Sequence, residues 1–336
     1  MTADLHCCEQ SGPVTFTYLG TGGWLIRHGS DALLTAPFFT NTSIWALPFP
    51  LRSNTALVKS ELPSLDDVKV ILAGHSHYDH LLDMPAVLQA AKNATLYGDT
   101  TMTHALAPTG APIVSLVAIA GDERAVGEWT KVGNIRFLAI RSEHAAHVLH
   151  VKFLNGHYVA PLPRLPRHAW EWREGEPLAF LIDFLENGRT IFRIYYDDAA
   201  HNSPYGIPDD ATLGEHQVDA AIICAASFEQ VADYPQALLA KLKPKHVLLG
   251  HWEDFFTSYK RPARPVRFTD VARLYAQLAS YQPLLPTGKP RSPSKESKRR
   301  AGERPARRHD LNTAPSARSR CGPHRRRRRA SSCRRA

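Results

Sequence analysis

Three histidines and an aspartate fall within six consecutive residues of this 336-residue chain, in the run Gly74-His75-Ser76-His77-Tyr78-Asp79-His80. Neutral imidazole nitrogens and a carboxylate oxygen are the donors that Zn2+ and its divalent neighbours accept. The alternation His-x-His-x-Asp-His lets one loop aim successive side chains at two adjacent centres, so the cluster reads as ligands for two metals rather than one. The chain has 17 histidines in 336 residues, and chance placement would rarely concentrate them this way.

Such a loop needs a rigid mount on each side. Residues 68–73 are a β-branched run ending at Gly74, and residues 84–92 carry apolar side chains at helical spacing, so 68–92 reads as strand, loop, helix. Upstream, 14–19 and 24–27 are strand-like runs broken by Gly20-Thr21-Gly22-Gly23, and 32–35 follows the hairpin chemistry of His28-Gly29-Ser30-Asp31. Downstream, strands are expected at 94–97, 135–140, 220–224 and 245–249, with helices at 102–107 and 234–242. Residues 178–184 and 190–196 form a strand pair turned by Glu186-Asn187-Gly188-Arg189. Strands and helices alternate without the regularity of a doubly wound sheet, which predicts a layered α/β fold containing much antiparallel pairing.

These elements carry a specific resemblance. His75-x-His77-x-Asp79-His80 resembles the signature of the metallo-β-lactamase-fold metallohydrolases, over roughly residues 14–256. The resemblance implies a four-layer αβ/βα sandwich with metals at the edge of the two sheets. It also implies a third histidine after a strand, supplied by His144 beyond 135–140, with His147 three residues on as a competitor. A bridging aspartate is implied after 191–194, where Asp197 and Asp198 compete and the family's usual Gly-Asp favours Asp198. A last histidine after the C-terminal strand is supplied by His251 in Leu248-Leu249-Gly250-His251. Aspartate rather than cysteine at the bridging position points away from the common zinc β-lactamases. Where the second hairpin of the family commonly ends in Asp-Pro, this chain has Thr35-Ala36-Pro37, so a carboxylate that would orient a ligand histidine is missing.

The implied chemistry is hydrolysis. His75, His77 and His144 would hold one divalent ion and Asp79, His80 and His251 a second, with Asp198 shared and a hydroxide between them. Two cations bring water's pKa towards neutrality and polarise an electrophile's oxygen, and Asp79 is placed to act as general base. Zn2+ is the expected metal, with Mn or Fe also compatible with the donors. The scissile bond is read as an ester, lactone or phosphodiester in a small or lipid-like substrate. The alternatives are a nucleic-acid-processing nuclease and a di-iron redox protein on the same fold.

Residues 145–180 are expected to be an insertion that covers the site. Trp170 and Trp172, with Phe38, Phe39 and Trp45, are candidates for an apolar wall, and Arg164 or Arg167 for reading an anionic group. Packing of the two tryptophans onto the body is the competing reading, and the same caution applies to Phe255-Phe256. His201 and Tyr205 are candidate donors to an oxyanion or leaving group on nearness in sequence alone; His147, Asp197 and His201 are also candidates for supporting the ligands.

Composition bounds the rest. With 43% hydrophobic residues the chain can bury one large core or two modest ones. The formal charge of +9 is unevenly spread: residues 287–336 hold 18 Lys/Arg against 3 Asp/Glu, whereas residues 1–286 hold 23 against 29, a net of −6. The basic segment lacks aromatics and is expected to be disordered, a solvated tail with at most nonspecific polyanion contact. Residues 1–13 are expected to be an N-terminal extension and 14–286 the metallohydrolase domain. No run of about 18 apolar residues suggests a membrane span, and the N-terminus has neither the basic nor the apolar part of a signal peptide. Five cysteines without a C-x-x-C suit a reducing compartment, so a cytoplasmic location is expected, apart from the lipoprotein-like pair Cys7-Cys8.

Overall fold

Alternation along the strands decides the layering. In the computed structural model, which describes residues 2–5, 12–111, 115–119, 128–147, 149–281 and 283, thirteen strands form two sheets. The first runs in chain order: β1 (Thr2–Leu5), β2 (Val14–Tyr18), β3 (Trp24–His28), β4 (Asp31–Thr35), β5 (Val68–Leu72), β6 (Thr95–Gly98) and β7 (Leu116–Ala118). The second is built from β8 (Thr130–Val132), β9 (Ile135–Arg141), β10 (Leu178–Glu186), β11 (Arg189–Tyr196), β12 (Ala220–Cys224) and β13 (His246–Gly250), again in chain order across the sheet. Each sheet is antiparallel over its first four strands and parallel thereafter.

On β10, Leu178, Phe180, Ile182 and Phe184 enter one core while Ala179 and Leu181 enter another. The first set meets Phe16, Ile26, Leu33, Val70 and Leu72 of the opposite sheet, so this core is the seam between the sheets. Leu25, Leu34, Ile71 and Leu96 face the other way and pack under α1 (Thr55–Glu61), α3 (Met84–Ala90) and α4 (Thr100–Leu106); the one-turn helix α2 (Tyr78–Leu81) lies between β5 and α3. The outer face of the second sheet is covered by α5 (Asp210–Glu215), α6 (Gln236–Leu242) and α7 (Val271–Gln277). The result is the expected α/β/β/α sandwich. Fully buried Arg193 fastens α5 to its sheet through paired bonds to Asp183 (2.7 and 2.8 Å) and a bond to Thr212 O (2.7 Å), which satisfies the charge that burial would otherwise penalise.

Strand β1, from within the expected N-terminal extension, adds an edge to the first sheet; residues 6–11 and the basic segment from 287 lie outside the described residues. Among the described residues no helix is long and apolar enough to cross a membrane.

Candidate metal centre

The chemistry-bearing residues follow directly on strand ends. His75, His77, Asp79 and His80 come after β5, His144 after β9, Asp198 after β11 and His251 after β13. Because these strands end at one edge of the sandwich, four segments of distant sequence converge. Three ligand-like sets result: His75, His77 and His144; Asp79, His80 and His251; and His75, His80 and Asp198. The donor atoms within each set lie within 4.8 Å of one another. His147, which competed with His144, is in none of them. It stacks on the His144 ring at 4.8 Å and accepts a hydrogen bond from Phe153 N. Asp197 points elsewhere as well, with Oδ2 3.3 Å from His201 Nε2 in a buried pair.

Polar contacts fix the arrangement. Asp198 Oδ1 lies 2.9 Å from His75 Nδ1, while its Oδ2 accepts from Gly74 N (3.2 Å) and lies 3.3 Å from His80 Nδ1. The Tyr196 hydroxyl sits 3.0 Å from Asp198 Oδ2 and 2.9 Å from Gly22 O. Thr35 Oγ1 donates to that same Gly22 carbonyl and accepts from Trp24 N, so hydroxyls occupy the region where an orienting carboxylate was missed. Gly74 is required here, because a Cβ would come within 2.3 Å of Asp198 Oδ1. His251 has φ +51°, an uncommon conformation for a residue other than glycine, and its Nε2 lies 3.2 Å from Asp79 Oδ2.

Two aspartates absent from the expected site brace the loop. Asp99 accepts from Ser76 Oγ (2.6 Å), Thr101 N, Met102 N and Glu176 N, tying the histidine loop to the start of α4 and to the chain re-entering β10. Asp83 accepts from Phe39 N, Thr40 N, Thr40 Oγ1 and Ser53 Oγ, which clamps the other flank. Both face several donors, a role that a lone Asp in sequence does not advertise; the one available signal is that Asp99 stands just ahead of the expected helix, where it caps α4.

Burial makes the imidazoles good ligands. Desolvation, reinforced by neighbouring histidines, holds His77 and His144 well below the ordinary imidazole value, so both keep a lone pair at neutral pH. Burial likewise brings His147 down to about 4. His75 moves up, since the Asp198 carboxylate outweighs its burial. For Asp79, burial opposes ionisation, but His80 and the contact with His251 prevail and hold the carboxyl well below its usual range.

These residues fit a divalent transition metal by a test within the structure. His75 Nε2, His77 Nε2, His80 Nε2 and His251 Nδ1 are buried without a hydrogen-bond partner, a costly condition that metal coordination relieves. His144 Nδ1 is engaged by the Ala145 carbonyl at 2.7 Å, which fixes the tautomer and leaves Nε2 as the donor.

Over this cluster lies a cavity of about 540 Å3, with His77, Asp79, His144, His147, Asp198 and His251 on its floor. Its walls are mainly apolar: Ile44, Leu47, Phe153, Trp170, Phe255 and Phe256 contribute, with Arg267 as the cation. Ala145, His147, Phe153, Leu154, Ala169 and Trp170 come from the segment between β9 and β10. Several expected wall residues are elsewhere. Trp172 is 1% exposed and, with Phe38 and Phe39, belongs to the core beneath the first sheet's helices. Arg164 is held by Glu171 through contacts of 2.9 and 3.0 Å, and neither it nor Arg167 lines the cavity. His201 is buried against Asp197 and Tyr195, and Tyr205 is not part of the lining.

Two mixed sheets back to back, with a buried histidine–aspartate cluster at their strand ends, define a metal-binding αβ/βα sandwich. Residues 34–192, a little under half of the chain, match the family model described as the beta-lactamase superfamily domain. A UPF0173 metal-dependent hydrolase from Polynucleobacter asymbioticus is 27% identical over 202 residues, covering 59% of this chain and 62% of the relative, so the chain spans about three fifths of that protein. Among solved structures, Igni18, a metallo hydrolase from Ignicoccus hospitalis, is similar with a TM-score of 0.48 at 14% identity, over 82% of this chain and 95% of that one. CmlA, a diiron β-hydroxylase from Streptomyces venezuelae, gives 0.47 at 14% identity, over 81% and 52%.

Proposed function

We propose that this chain is a dinuclear metal-dependent hydrolase that cleaves an ester, lactone or phosphodiester bond in a small or lipid-like substrate. The observation that carries the reading is the trio of overlapping ligand sets, buried and rich in unpartnered nitrogens, on the floor of an apolar cavity. In this reading His75, His77 and His144 hold one ion, Asp79, His80 and His251 the other, and Asp198 serves both. Divalent ions there, Zn2+ being the choice that best suits the mixed N/O donors, supply Lewis acidity and lower the pKa of water towards neutrality.

The protein's own groups do the rest. Asp79, ionised throughout the neutral range, takes the proton of the attacking water. Tyr196, braced on Gly22 O, holds Asp198 in place. The apolar wall seats the hydrocarbon part of the substrate and excludes water from the reacting centre. The nuclease alternative is less well supported, because a polynucleotide must bring its phosphates down to the floor and, among the residues lining the cavity, Arg267 is the single Lys or Arg amid apolar side chains. The di-iron alternative shares the donors and is separated by the metal found.

A panel of p-nitrophenyl esters of increasing chain length, lactones and bis(p-nitrophenyl) phosphate tests the proposal on metal-replete protein. The expected result is turnover of at least one class, abolished by chelation and by His77→Ala. Within the ester series kcat/KM should rise about threefold to fourfold per methylene until the cavity is filled. No turnover of any class by metal-replete protein would contradict the proposal.

A further inference from the structure

The cavity opens through an unusual surface. Trp170 and Phe268 line it and yet are 54% and 72% exposed, so they stand where it meets solvent. Phe153, half exposed, does the same. Beside them, Trp45 (85% exposed) and Phe49 flank the lining residues Ile44, Leu47 and Pro48. Most of the large exposed hydrophobic side chains among the described residues thus belong to the segments forming one mouth, whereas soluble surfaces scatter such side chains singly. Phe268 is held out with φ +60°, a conformation that bulky residues avoid unless their surroundings enforce it.

The stretches of chain that carry these wall residues are biased in charge as well. Residues 44–52, 147–170 and 255–269, which supply these walls, contain Arg52, Lys152, Arg164, Arg167, Lys260, Arg261, Arg264 and Arg267 and no Asp or Glu. The rest of residues 1–286 is acidic. Lys152, Arg164 and Arg267 pair with Glu174, Glu171 and Asp254 from outside these segments. Among the described residues, the side chains of Arg52, Lys260, Arg261 and Arg264 have no carboxylate partner.

We propose that the mouth of the cavity docks on an anionic lipid bilayer, with Trp45, Phe49 and Phe268 entering the headgroup–acyl boundary and Lys260, Arg261 and Arg264 resting on the lipid phosphates. Aromatic side chains suit that boundary because they are apolar bodies able to sit at its depth. Basic residues within a Debye length of the surface add electrostatic attraction. The apolar cavity is continuous with this surface, so an apolar molecule can pass between bilayer and floor without crossing water. A water-soluble anion accounts for the cations but not for the exposed aromatics, and a solvent-facing mouth accounts for neither.

The test uses the full chain and vesicles of phosphatidylcholine, with or without phosphatidylglycerol and with brominated acyl chains that quench tryptophan on contact. The basic segment 287–336 is itself able to attach the protein to anionic vesicles, so the decisive readout is insertion at the mouth. The expected result is tryptophan quenching on phosphatidylglycerol-containing vesicles that is reduced in Trp45→Phe. Affinity for those vesicles should fall at least about tenfold in Lys260→Glu/Arg261→Glu/Arg264→Glu. All three positions are exposed, and thermal melts of the variants check that the fold is retained. Vesicle binding with no quenching attributable to Trp45, and unaffected by the triple variant, would overturn the proposal and assign attachment to the basic segment. The assay needs no turnover, so it succeeds or fails independently of the hydrolase reading.

Discussion

The floor and the mouth of the cavity are built on opposite principles. On the floor, buried polar groups constrain one another: Asp99 and Asp83 each take four hydrogen bonds, and Asp198 meets His75, His80, Gly74 and Tyr196. At the mouth, large apolar side chains stand in solvent, and the main polar brace, Glu171 with Arg164, Arg167 and His168, is itself near the surface. The difference shows where positional accuracy matters. Ligand atoms must hold their places within fractions of an ångström, so the chain commits buried carboxylates to them, whereas a surface that receives apolar matter needs only area and charge.

This contrast can be broken at graded positions. The largest effect is expected at the centre of the floor: Asp198→Ala should abolish turnover and lower the amount of metal retained through dialysis, measured by activity and elemental analysis of the same sample. Next, Asp99→Ala removes the acceptor for Ser76 and Glu176, and should weaken metal affinity by about 10- to 100-fold in a competitive chelator titration. The same variant should lose about 1–3 kcal/mol in urea unfolding, because buried donors are left unpaired. Gly175→Ala strains the same anchor, since Gly175 has φ +76° and its Cβ would fall 2.1 Å from Asp99 Oδ2; a loss of about 1–2 kcal/mol is expected by the same assay.

Mouth variants should behave differently. Phe268→Ala should raise KM for the longest-chain substrate about tenfold and leave kcat nearly unchanged, since it removes apolar area and no ligand. The smallest effect is expected at Glu171, whose carboxyl is held down to about 2, chiefly by its hydrogen bond with Arg164. A depressed folded-state pKa stabilises above the unfolded value of about 4.3, and the benefit is lost as pH falls towards 2. Thermal melts of wild type and Glu171→Gln should therefore differ slightly at pH 7 and converge only as pH falls to about 2, the difference being small because the pair is largely solvated.

The two regions also differed in how much of them the amino-acid order disclosed. The floor is readable because four of its donors fall within six residues, and strand runs such as 68–73 and 135–140 identify what holds them. Its remaining donors, His144, Asp198 and His251, are single residues after strands, distinguishable from His147 or Asp197 by a family pattern rather than by local physics. Asp83 and Asp99 are not legible as supports, because the partners that tie them to the site, Phe39, Thr40 and Ser53 for one and Ser76 and Glu176 for the other, lie far off in sequence. The mouth was harder still, since its walls come from three segments about 100 residues apart. Composition marks Phe38, Phe39 and Trp172 as wall candidates as readily as Phe256 or Phe268, and only the packing sends the former into the core. Short strands such as β1, β7 and β8, three or four residues long, are too brief to show a period.

The central claim is that the floor holds two metal ions. Elemental analysis of protein purified without chelator, beside a His80→Ala variant, tests it most directly. The account predicts close to two equivalents of divalent metal per chain in the wild type, with the variant reduced to about one. Well-folded wild-type protein that takes up no metal, or never more than one equivalent when supplied with excess Zn2+, Mn2+ or Fe2+, would contradict it.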